Sequence, residues 1–476
     1  MTEVERLAEF AVRASYDDLS EAARDQLKIR VLDSLGCGIG AMGGEPVQLV
    51  HDQVAEFDPS GACTLIGGGQ AAPDRAAFYN GALVRYLDYN DSYLAKGESC
   101  HPSDSLSAVL AACEYADQSG RDLMVALAVA YQVQCRLSDE APVRAAGFDH
   151  TTQGSYAVAA GVSRALGLDV AATANAIAIS GTAFNALRVT RTGALSHWKG
   201  LAYPNTAAGC VWATFLARRG ITGPLGVFEG NKGFMEAIAG RFTIDWSSEN
   251  LERVTRTVIK RHNAEIHAQT AIDAALELKR QHRFVAGDVD RIDVEVFHVA
   301  YKIIGGGEEG DKSIVCTKED ADHSLPYLVA VAILDNEVLP AQFAPDRIQR
   351  TDVQQLLCRV SVRPSQAFSQ RFPDEMAARI TVTLHDGRAL DREVTEYPGL
   401  NAPAMSWKHV ARKFDQLGRD RLTPDQGRGI ADAVRTLDAI RVSDLTRLLA
   451  SVGRAGTGPD GAVPSSQEES GHARRT

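Results

Sequence analysis

The clearest indication of the fold class is one stretch of the chain, ITVTLHDGRALDREV at residues 380–394. Apolar side chains alternate with two threonines over residues 380–384, which is the period of a half-buried β-strand. Asp386-Gly387 then supplies the positive φ that a tight turn requires, and a second strand is predicted over Ala389–Val394. The stretch therefore predicts a β-hairpin in a chain whose patterns are elsewhere mainly helical.

The residues before this hairpin predict a small mixed domain around it. Strand-like alternation also occurs at Ile292–Phe297 and at Val360–Val362. Helical spacing interrupts these strands at Ser324–Asn336 and at Asp352–Leu357. The region after about residue 285 is therefore predicted to be α+β.

The first 270 or so residues predict helix after helix. Leu27, Val31 and Leu35 repeat at helical spacing behind Ser20, which suits a helix start. Further helices are predicted at 123–137, 155–166, 170–187 and 407–452, whereas Pro204 interrupts the apolar stretch 200–217. We predict a mainly α protein whose large helical domain comprises residues 1–269 and 401–453, with an inserted α+β lid domain at 270–400 and a disordered tail at 454–476.

Composition narrows the class of protein. The 476 residues are 45% hydrophobic and 23% charged, which is ordinary for a globular protein, and the net charge is −11. This acidity argues against a nucleic-acid surface, which needs clustered lysine and arginine. The first residues lack the apolar core of a secretory signal, and no transmembrane segment is predicted. None of the eight cysteines forms a CxxC motif, so we expect reduced thiols, a cytoplasmic location and no membrane partner.

The loop between Leu87 and Ser105 concentrates groups that carry protons. LDYNDSYLAKGESCHPSDS contains Asp88, Asp91, Glu98, His101 and Asp104 between two apolar helical segments. Acidic groups and a histidine on a loop held by helices are suited to general acid–base chemistry. The alternative is a solvated loop that caps the next helix.

A second polar loop, GFDH at residues 147–150, precedes a predicted helix. His150 lies just before the helix start, where the positive end of the helix dipole disfavours its protonation. The alternative is that Asp149 caps the helix and His150 has no role.

A cationic turn follows at residues 188–200, RVTRTGALSHWKG. Arg188 and Arg191 are suited to grip substrate carboxylates in bidentate fashion. Lys199 could neutralise the substrate or act as a Schiff-base nucleophile. A surface loop with solvated charges is the remaining alternative.

A fourth polar run, KRHNAEIHAQT at residues 260–270, lies near the predicted domain boundary. The spacing of Glu265 and His267 matches no recognised zinc motif, although metal binding there is conceivable. The chain lacks a Walker loop, a GxSxG motif and a strand-to-helix GxGxxG. Nucleotide binding and serine hydrolysis are therefore disfavoured.

Five linked motifs resemble the MmgE/PrpD family, which includes 2-methylcitrate dehydratases, cis-aconitate decarboxylases and related epimerases. They occur in the family's order and the similarity runs from about Leu7 to Val452. The motifs are LDYNDSYLAKGESCHPSD (87–104), LSHWKGLAYPNTAA (195–208), GITGPLGVFEGNKGF (220–234), HNAEIHAQTA (262–271) and KEDADHSLPYLVAVAILD (318–335).

The resemblance implies a helical domain with an inserted lid, a homodimer, and an interdomain active site without metal or other cofactor. The family's site positions fall on Asp88, Ser92, His101, His150, Lys199, Glu265, His267 and His323.

This chain departs from the family pattern at a few positions. Many members carry threonine where Ser92 stands, and an aromatic-proline pair where His262-Asn263 stands. Decarboxylase members tend to carry histidine at the position of Glu265, so Glu265 favours the hydro-lyases. The predicted activity is dehydration of 2-methylcitrate or a related hydroxy tricarboxylate. The alternatives are decarboxylation of cis-aconitate, epimerisation of a small dicarboxylate, and a binding protein that has lost its chemistry.

Overall fold

A computed structural model describes residues 1–57 and 60–453 of the chain. The predicted tail at 454–476 lies outside the described residues. The fold is mainly α, as predicted. Its α-helices are α1 (Glu3–Arg13), α2 (Glu21–Gly40), α3 (Glu45–Phe57), α4 (Pro73–Tyr86), α5 (Leu106–Tyr115), α6 (Gly120–Glu140), α7 (Thr151–Ala165), α8 (Val170–Ala183), α9 (Trp198–Arg218), α10 (Gln269–His282), α11 (His298–Ile304), α12 (Lys318–Ala321), α13 (Leu325–Asp335), α14 (Pro345–Ile348), α15 (Thr351–Leu357), α16 (Gln366–Arg371), α17 (Trp407–Gly418), α18 (Pro424–Arg435) and α19 (Val442–Leu449).

The strands are short in the first half of the chain and longer in the second. They are β1 (Cys63–Thr64), β2 (Gln70–Ala71), β3 (Tyr93–Leu94), β4 (Ser99–Cys100), β5 (Val289–Val296), β6 (Val360–Pro364), β7 (Ala378–Leu384) and β8 (Ala389–Val394).

Two hydrophobic cores divide these elements. The first core is built from residues between Val4 and Ile259 together with residues between Val410 and Val452. The second is built from residues between Val258 and Tyr397. The chain therefore leaves the helical body, forms a second unit, and returns with α17–α19 to complete the first core. We call these the helical body and the lid unit.

Close helix packing in the helical body depends on small residues. α7 packs against α6, α8 and α9, and α4 packs against α9 and α5. A Cβ at Gly154 of α7 would lie 2.6 Å from the ring of Tyr203 on α9, and one at Gly181 of α8 would lie 2.1 Å from the ring of Tyr156. Glycine at these positions lets large aromatic rings lie directly against the neighbouring backbone.

The lid unit carries a four-stranded sheet in the order β6-β5-β7-β8. β5 pairs in parallel with β6 and antiparallel with β7, and β7 pairs antiparallel with β8. Alternate residues of β7 are buried, which is the pattern of a strand with one face on the core. The predicted hairpin is confirmed, with Gly387 at φ +89° in its turn. α10 packs on β7 and β8 and α13 packs on α10.

Three predictions about helices in the helical body were wrong. α8 ends at Ala183 rather than near Leu187, and the Asn185 amide donates to the carbonyl of Gly181 over 3.0 Å. α9 continues through Pro204 as one helix. The described chain between Arg218 and Gln269 forms 3₁₀ and π turns in place of α-helix, because its glycines and Pro224 favour turns.

Among the described residues, no helix is long and apolar enough to cross a bilayer.

Candidate active site

Asp88 lies where α4 ends, between the helical body and the lid unit. Its φ of +52° is in the left-handed region, which is strained for an aspartate. The Lys260 ammonium holds this conformation by donating to both the carbonyl oxygen of Asp88 (2.7 Å) and its Oδ1 (2.6 Å). The Arg85 guanidinium donates to the same Oδ1 over 2.6 Å. Asp88 Oδ2 is left buried without a hydrogen-bond partner among the described residues.

Lys199 brings the cationic turn into contact with Asp88 and with the lid unit. Its Nζ lies 2.5 Å from Asp322 Oδ1 and 3.4 Å from Asp88 Oδ2. Lys318, on α12, pairs with the other oxygen of Asp322 over 2.8 Å. All of these carboxylates and Lys199 are buried. The two structural units therefore meet through ion pairs that water does not screen.

The charges of this cluster set the protonation of its members. Burial alone would raise the pKa of Asp88, but Arg85, Lys260 and Lys199 hold it well below its usual range. Asp322 behaves in the same way, because Lys199 and Lys318 oppose the effect of burial on its pKa. Burial lowers the pKa of Lys199, although Asp322 and Asp88 counteract that shift. We infer ionised carboxylates facing ammonium and guanidinium groups.

Asp88, Asp322 and His323 also bring potential metal-ligating atoms within 4.8 Å of one another. The Lys199 ammonium lies between the two carboxylates, where a bound cation would lie. The chain thus supplies its own positive charge to this donor set, and removal of metals from the protein is the experiment that tests for any further cation.

His101 contacts a carbonyl, and that contact fixes its tautomer. Its Nδ1 lies 2.8 Å from the backbone oxygen of Asp91 and 3.1 Å from Ser92 Oγ. A carbonyl only accepts hydrogen bonds, so Nδ1 carries the proton and Nε2 keeps its lone pair. Burial, Arg85 and Lys260 lower the pKa of His101 well below its ordinary value. His101 is therefore a neutral imidazole with a free basic nitrogen.

His150 is its near neighbour and has the opposite environment. The two rings are 5.2 Å apart, edge to face. His150 Nδ1 lies 3.1 Å from Asp149 Oδ1, and Nε2 lies 4.0 Å from Asp104 Oδ2. Burial would lower the pKa of His150, but Asp149 and Asp104 raise it above its ordinary value. With a carboxylate on the side of each nitrogen, the protonated form of His150 is stabilised relative to a free imidazole.

The direction of this pKa shift corrects one prediction from the sequence. We expected the dipole of α7 to keep His150 neutral, since His150 immediately precedes that helix. The expectation was wrong because two carboxylates outweigh a partial charge at a helix terminus. Asp149 also accepts a hydrogen bond from the backbone of Thr151 over 3.2 Å, so it contacts the helix terminus as well as His150.

The structure places the other predicted residues close to one another but mostly paired within the chain. Ser92 is fully buried behind His101. Glu265 accepts from His267 Nδ1 over 2.7 Å, which helps to lower the pKa of Glu265 to about 2 despite burial. His323 Nδ1 lies 2.7 Å from Asp322 Oδ1, while burial and Lys199 lower its pKa to about 4.

The two arginines of the cationic turn grip carboxylates of the protein itself. Arg191 is buried and its Nε donates to Asp149 over 2.9 Å. Arg188 spans Asp149 at 3.4 Å and Glu309 of the lid unit at 2.5 Å. Arg191 therefore positions Asp149, while Arg188 also reaches the boundary between the two units.

A cavity of about 560 Å³ opens at this boundary. The histidines of the cluster are not among its lining residues, and the connection to them runs through neighbouring residues. Arg188 lines it and pairs with Asp149, which contacts His150. Ser99 lines it two residues before His101. Phe372 also lines it, and its ring lies 5.7 Å from that of His267. We interpret the cavity as the entrance to the buried cluster.

Several residues of this cluster were not among the predicted site residues. Arg85, Lys260 and Asp322 contact the predicted residues directly. Lys260 and Asp322 lie inside sequence motifs that we had singled out, so their position in a motif was the available signal. Arg85 stands on α4 with no such signal.

Comparison with known proteins places this geometry in context. Two family models match the chain: the MmgE/PrpD N-terminal domain over residues 5–247 and the MmgE/PrpD C-terminal domain over residues 262–439. The 2-methylcitrate dehydratase of Cupriavidus necator is 28% identical over 413 residues, 80% of this chain and 83% of that protein. The 2-methylcitrate dehydratase of Escherichia coli K12 is 26% identical over 412 residues, 81% and 83%. Mouse cis-aconitate decarboxylase is 26% identical over 449 residues, 89% and 88%.

Proposed function

The chain belongs to the MmgE/PrpD family, and on that premise we propose that it is a metal-independent hydro-lyase that dehydrates 2-methylcitrate or a closely related hydroxy tricarboxylate. The observation that carries the proposal is the adjacent pair of His101 and His150. Their environments push their pKa values in opposite directions, which is how a site prepares one base and one acid at the same pH.

His101 is assigned as the general base. Its Nδ1 proton is held by the Asp91 carbonyl, so Nε2 is free to take a proton from the carbon next to a substrate carboxylate. Ser92 also contacts Nδ1, and we assign it a positioning role for this ring. A hydroxyl at that position preserves the contact whether the residue is serine or threonine.

His150 is assigned as the general acid. Its Nε2 lies 4.0 Å from Asp104 Oδ2, beyond hydrogen-bond distance, and has no hydrogen-bond partner among the described residues, so we assign its proton to the leaving hydroxyl. Donation of that proton releases water while the electrons of the broken C–H bond form the new double bond. General acid–base help of this kind is worth roughly 10²–10⁴-fold in rate.

Lys199 and its neighbours are assigned to charge stabilisation. Loss of the carbon-bound proton builds negative charge on the adjacent carboxylate, and preorganised cations stabilise that charge. Arg85, Lys199, Lys260 and Lys318 surround Asp88 and Asp322, which leaves an excess of positive charge. The low pKa of Asp88 suits an ionised carboxylate that orients Lys199 better than it suits a proton donor.

The partner of this site is accordingly a small carboxylic acid with two or three carboxylates. The proposal keeps Glu265, His267 and His323 as a second wall of the substrate pocket, because His267 Nε2 is buried without a partner among the described residues. Homodimerisation, a role in propionate metabolism and a cytoplasmic location remain part of the proposal on the strength of the family resemblance.

The test is an activity assay on protein treated with a chelator and then freed of it. 2-Methylcitrate, citrate and cis-aconitate are supplied separately, with ultraviolet absorbance following the alkene and a trap collecting carbon dioxide. We expect alkene from 2-methylcitrate without carbon dioxide, at the same rate before and after chelation. A folded protein that forms no unsaturated product from any hydroxy tricarboxylate contradicts the proposal, and activity that returns only with added metal contradicts its metal independence.

Variants connect the activity to the assigned residues. We expect His101→Ala and Lys199→Ala each to lower kcat by roughly 10²-fold or more. His409→Ala is a matched control, because His409 lies on the surface of α17 and its ring contacts Ser406. Unchanged turnover in both site variants removes these residues from the mechanism.

Decarboxylation is the second candidate, favoured by the similarity to mouse cis-aconitate decarboxylase over 89% of this chain. Carbon dioxide from cis-aconitate in the same assay would select it.

A further inference from the structure

The loop at residues 305–310, GGGEEG, reaches from the lid unit onto the cationic turn of the helical body. We call it the glycine-rich loop. Gly306 and Gly310 have φ values of +96° and +103°, so the loop depends on glycine at both positions. The backbone N–H of Gly193 donates to the Glu309 carbonyl over 3.2 Å. This contact docks the loop beside Arg188.

Glu309 inserts its carboxylate between two guanidinium groups of the helical body. Its Oε1 lies 2.5 Å from a terminal nitrogen of Arg188 and 3.5 Å from one of Arg144. The Glu309 side chain is 8% exposed although it comes from a surface loop. Both arginines converge on the same oxygen, and Glu309 Oε2 has no hydrogen-bond partner among the described residues.

The arginines in turn keep unused donors. Arg144 Nε and Arg188 Nε are buried and make no hydrogen bond within the described part of the chain. Both residues line the cavity of about 560 Å³. The Glu98 carboxylate accepts a hydrogen bond from the backbone N–H of Arg144 over 3.0 Å. This contact fixes the position of the Arg144 backbone. Glu309 contacts both arginines and Asp149 contacts Arg188, yet the Nε of each arginine is left without an acceptor among the described residues.

The two arginines of this site lie in different electrostatic environments. Burial and the Arg188 guanidinium lower the pKa of Arg144, whereas Glu309 and Asp149 overcome burial and raise the pKa of Arg188. Lys302 also lines the cavity, where its ammonium pairs with Glu308 over 2.8 Å. A ligand carboxylate with two free oxygens matches this arrangement, because paired guanidinium groups bind carboxylates in bidentate fashion.

We propose that Arg144 and Arg188 form a carboxylate subsite in the cavity between the two units, and that Glu309 occupies this subsite until a carboxylate of the substrate displaces it. The inference deepens the proposed function, since it names where a carboxylate remote from the reacting carbon binds. It also makes the glycine-rich loop a competitor that the substrate must move. Arg144 thereby joins the substrate-binding residues, and Glu309 becomes the residue that competes with the substrate. The sequence motifs had indicated neither role.

The test uses binding without turnover. Propane-1,2,3-tricarboxylate has no hydroxyl to lose, and glutarate lacks its third carboxylate. Their dissociation constants are measured by calorimetry at one fixed chloride concentration. Glu309→Gln removes the competing charge and keeps the side-chain shape. If Glu309 fills the subsite about nine-tenths of the time, we expect the tricarboxylate to bind about tenfold more tightly to this variant.

Asp311→Asn is the matched control. It removes one negative charge two residues after Glu309, where Asp311 accepts hydrogen bonds from Ser313. We expect wild-type binding from this variant. Arg144→Gln is expected to weaken binding of the tricarboxylate about tenfold or more, because it removes half of the subsite. We expect a smaller loss of affinity for glutarate.

The outcomes separate the subsite from the reaction. If Glu309→Gln binds the tricarboxylate no more tightly than wild type does, Glu309 is only a structural ion pair and the proposal is overturned. If Asp311→Asn shows the same gain in affinity, the effect is one of diffuse charge and the proposal is likewise overturned. An equal loss of affinity for the tricarboxylate and for glutarate in Arg144→Gln also overturns the proposal. If Glu309→Gln is unfolded at the assay temperature, Glu309→Asp shortens the side chain and is expected to give a smaller gain. None of these measurements depends on whether the protein dehydrates 2-methylcitrate.

Discussion

At the scale of single residues, the site depends on Asp149 more than the motifs indicated. Asp149 contacts His150 at 3.1 Å and raises its pKa, while Arg191 and Arg188 hold Asp149 in place. The proposed acid must be protonated to act, so activity is lost as the pH rises through the pKa of His150. Asp149→Asn removes the charge that raises this pKa and leaves the two arginines uncompensated. We expect the alkaline limb of the profile of kcat/KM against pH to move to lower pH.

The acidic limb provides an internal reference for that measurement. It reports protonation of His101, whose pKa lies well below its ordinary value for reasons that the variant leaves in place, namely burial, Arg85 and Lys260. Glu114→Gln is the control, because Glu114 is a half-buried carboxylate that accepts hydrogen bonds from the backbone N–H and the hydroxyl of Thr64. A profile that shifts equally in Asp149→Asn and Glu114→Gln, or that stays in place in both, would reject His150 as the acid.

At the scale of elements, the position of His150 depends on how closely α7 approaches α9. His150 immediately precedes α7, and its ring stacks 6.0 Å from that of Tyr203 on α9. Gly154, one turn further along, leaves the space that Tyr203 fills. Gly154→Ala forces that ring to move, and overpacking of this kind costs about 1–3 kcal/mol of unfolding free energy. We expect a loss of stability in urea unfolding together with a lower kcat.

A glycine-to-alanine substitution in another helix separates the effect of packing on stability from the effect of helix propensity. Gly427 lies inside α18, and a Cβ there would approach Leu422 no closer than 4.0 Å. Gly427→Ala is expected to raise the unfolding free energy by up to about 1 kcal/mol, because alanine favours helix over glycine. If Gly154→Ala is as stable as wild type, the close approach of α7 to α9 does not depend on glycine at this position.

The elements also show how far the sequence can predict the fold. The hairpin of β7 and β8 was predictable because period-2 alternation and Asp386-Gly387 are both local signals. The end of α8 was not, since residues 184–187 have no strong breaker, and a side-chain contact from Asn185 marks the end of the helix. Pro204 failed as a signal because packing against α4 and α7 keeps α9 continuous.

The residues of the site were likewise predictable only where the sequence around them carries a local signal. Lys199, His101, His267 and His323 were found because they stand in linked motifs, and His150 was found because its polar loop precedes a predicted helix. Their partners were not, because ion pairs join positions far apart in the chain: Lys260 and Asp88 are 172 residues apart, and Lys199 and Asp322 are 123 residues apart. One sequence contains no direct signal for such a pairing.

At the scale of the whole molecule, buried ion pairs join the helical body to the lid unit. Asp322 is the clearest case, because its two oxygens hold Lys199 of the helical body and Lys318 of its own unit. Lys318 also donates to the backbone oxygen of Tyr86, at the end of α4. The relative position of the two units therefore depends on charges that are themselves in the proposed site. Closure of the cleft and assembly of the site are one event in this arrangement.

This coupling predicts that Asp322→Asn destabilises the whole molecule and not only the site. It leaves two buried ammonium groups without their carboxylate, and an uncompensated buried charge costs about 3–5 kcal/mol. Asp335→Asn is the control: Asp335 pairs with Arg347 inside the lid unit and is 20% exposed, so its loss should cost about 1 kcal/mol or less. We expect Asp322→Asn to lower the urea midpoint and to separate unfolding into two transitions, one for each core. A single transition at the wild-type midpoint would mean that packing, and not charge, holds the units together.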